Sequence, residues 1–254
     1  MSLDTILLVL QKYSPMLLRG AGTTLLISMV GTILGSIIGL LIGTIRTIPM
    51  PDRGAKRILL KIINALLSIY VEFFRGTPMI VQAVVIYYGS KALFNIDMSP
   101  IFAGMFVVSI NTGAYTAEIV RGGIISVDKG QFEAAHAIGM NHIKTMIHVV
   151  LPQVLRNILP PIGNEFIINI KDTSVLNVIS VTELYFQSKA VVSNTFSYFE
   201  PFAVTCVIYL IMTLTITRIL RYIERRLDGP DSYNVIPGNQ MQVERPEDTI
   251  RHKN

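Results

Sequence analysis

Glu165 and Asp172 stand seven residues apart in a largely apolar run, GNEFIINIKDTSVLNVI (163–179). On a helix that spacing puts both carboxylates on one face, ~10 Å apart along the axis. A carboxylate in a dehydrated setting is what an ammonium group needs. The pair therefore suits an amine-bearing ligand; the other reading is a local cluster of Asp172 with Lys171 at a helix end. Asn111, Tyr115 and Glu118 form a second set at i, i+4 and i+7, again one face. Its amide and phenol serve either a ligand or hydrogen bonds between helices. Arg121, three residues beyond Glu118, predicts a salt bridge closing the helix end. The third set is VEFFRGTPMIVQ (71–82), in which Glu72 and Arg75 are spaced to pair. Pro78 removes a backbone donor and disfavours helix at Thr77, and Gly76 eases a break further. A break offers backbone N–H and C=O groups to a small zwitterion; a kink with an internally satisfied ion pair is the alternative.

Other chemistry is missing from the sequence. No GxxxxGK[ST] phosphate loop occurs, so nucleotide hydrolysis is not expected of this chain. His136, His142, His148 and His252 lie outside the apolar runs, and the six-residue step from His142 to His148 suits no one-face metal site.

The elements that must position these residues are membrane helices. The 254 residues are 51% hydrophobic and 15% charged, against about 25% charged in soluble domains. Mean hydropathy is +0.51. Four stretches, roughly 20–45, 100–121, 149–170 and 198–220, are each long enough to cross a ~30 Å hydrocarbon core. A fifth, 56–90, is interrupted at Arg75-Gly76-Thr77-Pro78 and reads as one long broken span or two short ones. Charge decides between them. With one span, Arg46, Arg53, Lys56, Arg57, Arg121, Lys129, Lys144, Arg218, Arg221, Arg225 and Arg226 share a side, as cytoplasmic positive charges should. Two spans destroy that asymmetry. The expectation is an all-α integral membrane protein with five spans, N-terminus outside, C-terminus cytoplasmic, and a break in the outer half of the second span.

Smaller features complete this reading. Residues 1–16 carry no basic leader region and are expected to form an interfacial segment, with 17–227 as the transmembrane domain. Gly31, Gly35, Gly39 and Gly43 recur every four residues and predict close helix packing without naming the partner. Cys206, the sole cysteine, reads as a core thiol. The polar, aperiodic stretch 228–254 reads as a mobile cytoplasmic tail. The +5 charge follows from orientation, and nucleic acid is not an expected partner.

Between the third and fourth spans lies QFEAAHAIGMNHIKTMIHVVLP (131–152). It splits at Gly139 into a short helix and a second, amphipathic one, with Ile143, Met146, Ile147 and Val150 on one face, ending at Leu151-Pro152. Periodicity alone is satisfied equally by a stiff docking knuckle and by a helix lying on lipid.

The spacing EAA, three residues, Gly139, nine residues, Val149, one residue, Leu151-Pro152 resembles the EAA loop of ABC importer membrane subunits, departing only in Val149 for Ile. VEFFRGTPMIVQ, NTGAYTAEIVRGGI (111–124) and GNEFIINIKDTSVLNVI resemble one branch, the polar amino-acid permeases of the histidine/glutamine type. The match runs from about residue 17 to 226. This resemblance implies a type I importer permease fold in a bacterial inner membrane, working as a dimer with a second copy or a paralogue. A separate ATPase dimer would bind ATP and Mg and receive Glu133, Ala134, Ala135 and Gly139. An extracellular solute-binding protein would deliver the amino acid, be it glutamine, cystine or a basic one. It also implies ligand contact around Arg75, Gly76, Thr77, Asn111, Tyr115, Glu165 and Asp172. Two other classes compete. A self-contained ion-coupled carrier has no use for a docking loop, and a membrane-embedded enzyme lacks its constellation.

Overall fold

A computed structural model describes residues 3–228; the expected tail lies outside them except for its first residue, the last of the final helix. Ten α-helices and no strand occur among the described residues. They are α1 (Leu3–Leu8), α2 (Ser14–Ile45), α3 (Ala55–Gly76), α4 (Met79–Phe94), α5 (Pro100–Ile125), α6 (Lys129–Ala137), α7 (His142–Thr145), α8 (Leu151–Asp172), α9 (Leu184–Thr195) and α10 (Phe199–Asp228).

The solvent logic is inverted relative to a soluble protein. Thr24, Ser28, Thr32, Ser109, Thr112 and Asn169 are buried, while Leu26, Ile33, Leu34, Ile37 and Leu41 of α2 point outward. Polar groups that find partners inside and aliphatic groups that face out are what a hydrocarbon solvent selects. Asp4–Ile45 and Phe199–Arg226 are each long and apolar enough to cross a membrane by length and composition. α3, α5 and α8 carry the charged and amide residues that lower their hydropathy, and these residues build the polar features of the next section.

The glycine row finds its partner in α5. A Cβ at Gly31, Gly35, Gly39 or Gly43 would come within 2.4–2.8 Å of Val108, Thr112, Thr116 and Val120 respectively. Those residues also recur every four positions, so two matched ridges replace side chain by backbone along the whole contact. Between the ridges and α8, Asn169 Nδ2 donates to Thr32 Oγ1 at 2.8 Å and to Thr112 Oγ1 at 3.0 Å.

Three apolar clusters fix the remaining helices. Ile27, Ala83, Val107, Leu176 and Ile179 join α2, α4, α5 and the 3-10 turn Thr173–Ile179. Val9, Leu17, Ile170, Leu184, Val191 and Met212 join the N-terminal segment to α8, α9 and α10. Val120, Ile124, Val127, Met146, Val150, Val154 and Ile158 join the end of α5 to the start of α8.

Several expectations change. Helix runs through the boundary expected at residue 16: a π-turn, Val9–Tyr13, links α1 to α2, with Val9 fully buried and Leu7 and Leu10 exposed. The amphipathic helix after Gly139 does not stop at Leu151-Pro152. A second π-turn, Met146–Val150, carries α7 into α8, absorbing the proline, which has no N–H to give. The π-turn also shifts the helical phase, so Met146 and Val150 are buried while Ile143 and Ile147 are exposed. Cys206 is exposed, not a core thiol, because it sits on a face of α10 left open among the described residues.

Substituting Gly39→Leu should lower the thermal unfolding midpoint of the purified protein sharply, since neither Thr116 nor the α5 backbone can yield. Gly22→Ala, where nothing lies within 4 Å, should leave it unchanged or slightly higher. Equal midpoints for the two variants would mean that α2 and α5 do not meet along the glycines.

Candidate functional site

Thr77 and Pro78 both adopt extended backbone, so the path of α3 stops and restarts as α4. Such a break leaves carbonyls at the end of α3 without helical partners. Gln82, buried, supplies them: its Nε2 lies 3.0 Å from Phe74 O, 2.9 Å from Thr77 O and 2.8 Å from Thr77 Oγ1. Asn111 Nδ2 donates to Gln82 Oε1 at 2.9 Å and to Phe74 O at 3.2 Å. Thr77 Oγ1 donates to Phe73 O at 2.8 Å. Thr77 and Asn111 therefore stitch the break, and Gln82 is the residue at its centre. Asn111 lies eleven residues into α5, ~16 Å from its start, so the break falls near the middle of that helix. Tyr70, whose hydroxyl donates to Ile110 O at 2.6 Å, pins α3 just below it.

No ion pair joins Glu72 to Arg75. The ion pairs among the described residues are Arg46–Glu118, Arg121–Glu118 and Lys91–Asp97. Arg75 instead lies with its guanidinium 5.5 Å from the centre of the Tyr115 ring. It is also within electrostatic reach of Glu165, and Glu165 of Asp172. Arg75, Tyr115, Glu165 and Asp172 thus come together from α3, α5 and α8. Arg75, Gly76 and Asp172 are exposed, and Tyr115 and Glu165 half-buried. One cation, two carboxylates and an aromatic face along an open wall match the two charged groups of a zwitterion.

Glu118 belongs to a different structure. Arg121 donates to its Oε2 through Nε and Nη2, at 3.0 and 2.8 Å, as the spacing predicts. Arg46, from the end of α2, engages Oε1 and reaches Ser68 of α3 at 3.3 Å. Sequence spacing finds the local arginine and misses Arg46, which is 72 positions away. It also misses Glu183, fully buried at the start of α9. Glu183 accepts from the N–H groups of Tyr185 and Phe186, both at 2.7 Å, and from the Tyr209 hydroxyl at 3.1 Å. A glutamate one residue before an apolar helix is the available signal, weak because shorter side chains dominate that position.

The loop after α5 is a built object. Asp128 caps α6 by accepting from Gly130 N–H at 2.6 Å. Gly139, at φ +80°, ends that turn with two bonds: its own N–H donates to His136 O at 2.9 Å and the Met140 N–H to Ala135 O at 3.0 Å. That pairing requires the left-handed conformation that glycine adopts freely. Asn141 then caps α7 by accepting from Lys144 N–H at 2.9 Å. Ala135 is buried in the corner, and Glu133, Ala134 and Gly139 are exposed.

Residues 53–229 match the family model described as the binding-protein-dependent transport system inner membrane component. The chain belongs to this family. It is 41% identical over 214 residues to the glutamine transport system permease protein GlnP of Escherichia coli (strain K12), covering 84% of this chain and 93% of that one. It is 41% identical over 162 residues to the L-cystine transport system permease protein TcyB of Bacillus subtilis (strain 168), covering 63% and 69%. A crystal structure of an amino acid ABC transporter with histidines matches at TM-score 0.78 and 37% identity, over 89% of this chain and 100% of that one. An inward-facing structure of the MetNI methionine ABC transporter shares the fold, at TM-score 0.69 and 19% identity over 89% and 99%. The family resemblance carried by the four sequence motifs holds: this is a membrane permease of an ABC importer, and the relatives belong to the branch that those motifs resemble.

The stitch across the break yields a stability test. Gln82→Leu leaves the Thr77 carbonyl without its amide donor, the Phe74 carbonyl with Asn111 alone, and Asn111 Nδ2 without its Oε1 acceptor, at a cost of ~1–3 kcal/mol for buried polar groups left unpaired. The melting temperature of the purified permease should fall. An unchanged melting temperature would mean that the break is satisfied without Gln82.

Proposed function

We propose that this chain translocates a polar amino acid delivered by an extracellular solute-binding protein, driven by a separate ATPase dimer that binds ATP and Mg. In this reading α2, the broken pair α3–α4, α5, α8 and α10 are five membrane passages. The N-terminus is outside and the loop 131–152 and C-terminus are cytoplasmic. A second permease, the same chain or a paralogue, completes the pathway. The open wall of Arg75, Tyr115, Glu165 and Asp172 meets the amino acid, with Gly76, Thr77 and Asn111 shaping it.

The observation that carries this reading is the construction of the loop. Its inner side is locked to α5 and α8 through Val120, Ile124, Met146, Val150 and Val154. Its outer side presents Ile138 at 78% exposure and Ile143 at 67%, beside Glu133. Such a lever passes a push on its outer side straight into two spans. The names of the similar permeases point to glutamine or cystine as substrate classes; the two carboxylates fit an α-ammonium group common to all amino acids.

Glu133→Lys should abolish ATPase stimulation and co-purification of the ATPase subunit while leaving the permease's melting temperature unchanged. Wild-type association and transport in this variant would refute the docking role. Glu165→Gln should weaken amino-acid binding to the assembled importer, by ~10-fold for one lost charge-assisted contact. Glu118→Gln should weaken it far less, because Glu118 is engaged by Arg46 and Arg121. Superimposable binding curves would remove Glu165 from the site.

A further inference from the structure

A groove of about 370 Å³ opens at the end of α8 remote from the loop 131–152. Its walls are Lys171 and Ser174, either side of Asp172, Tyr185 of α9, and Thr205 with Phe202, Cys206 and Tyr209, the last three spaced at i, i+4 and i+7 along one face of α10. The lining is carbon almost throughout, with Tyr185 and Phe202 rings tilted together at 5.5 Å. The Tyr209 hydroxyl is turned inward to Glu183. The polar tips left at the rim are the Lys171 ammonium and the Ser174 and Tyr185 hydroxyls, none of which has a hydrogen-bond or ion-pair partner among the described residues. Lys171 is exposed; Asp172 lies within its electrostatic reach but forms no ion pair with it. Asp172 shares the face of Glu165, about 100° around the helix from Lys171.

A cation without an ion-pair partner, with two hydroxyls beside it at the mouth of an apolar slot, complements the polarity of a phospholipid. We infer that the groove holds one anionic phospholipid, its phosphate at Lys171, Ser174 and Tyr185 and an acyl chain along Phe202, Cys206 and Tyr209. The charge complementarity is that of an ammonium with a phosphate oxygen. This rests on the topology proposed above, which puts the groove in the outer leaflet. The lipid would sit behind α8, braced on α9 and α10, on the side away from the wall that faces the amino acid.

The assembled importer, delipidated and then supplied with phosphatidylglycerol or phosphatidylcholine, is examined by native mass spectrometry. The wild-type complex should keep one phosphatidylglycerol per copy of this chain, with about fivefold preference over phosphatidylcholine, the effect of one lysine on an anionic lipid. Lys171→Ala should abolish that preference, and Lys171→Arg should retain it. Maleimide labelling of Cys206 should be fast in the delipidated complex and slow once phosphatidylglycerol is bound. Equal retention of both lipids by wild type, unchanged preference in Lys171→Ala, or a Cys206 unreactive even without lipid would overturn the inference. The last result would show that a protein surface covers the groove. The two readings separate cleanly: a complex that keeps the lipid but lacks ATP-driven uptake contradicts the functional proposal alone. One that transports but shows no preference contradicts this inference alone.

Discussion

The close approach of α2 and α5 is the contact on which the rest of the permease depends. In hydrocarbon no water is released when aliphatic side chains meet, so helices must gain from packing and from internal hydrogen bonds. Four glycines give α5 direct access to the α2 backbone, and the ridge of Val108, Thr112, Thr116 and Val120 fills it. That docking sets the rotation of α5 and so decides what its other residues meet. Asn111 then faces the break between α3 and α4, Glu118 faces Arg46, and Thr112 faces Asn169 of α8. A rotation of α5 by one position would dismantle all three.

The second constraint is the broken path of α3 and α4. Pro78 makes the interruption and Gln82 makes it tolerable, since unpaired carbonyls are costly away from water. The interruption has a geometric return. It ends α3 with Arg75 and Gly76 exposed at the level of Tyr115, where an unbroken helix would present a continuous apolar rail. The charged wall thus stands beside a break whose carbonyls are met from within.

Periodic and local features were legible in the sequence. The glycine face, the break at Gly76–Pro78, the Glu118–Arg121 pair and the turn at Gly139 each follow from spacing or from backbone chemistry over a few residues. Contacts between distant segments were not. Nothing near Gln82 announces Asn111, nothing near Glu118 announces Arg46, and Glu183 finds Tyr209 only after α9 and α10 fold together. The π-turn at Met146–Val150 was hidden for another reason: a single inserted residue per turn moves every later side chain around the helix, so a pattern read at 3.6 residues per turn assigned Ile147 to the wrong face. The environment of Cys206 failed because in a membrane an apolar neighbourhood in sequence marks lipid contact as readily as core.

In the proposed function, force enters at the loop and leaves at the wall of Arg75, Tyr115, Glu165 and Asp172. Cluster packing makes the loop, the end of α5 and the start of α8 a single unit, and α5 and α8 carry Tyr115 and Glu165. The most direct test is uptake into proteoliposomes holding this permease with its partner subunits. Amino-acid accumulation that requires the ATPase subunit and ATP on the loop side, and that ion gradients do not support, is the result this account predicts. Accumulation driven by an ion gradient through this chain alone would contradict it.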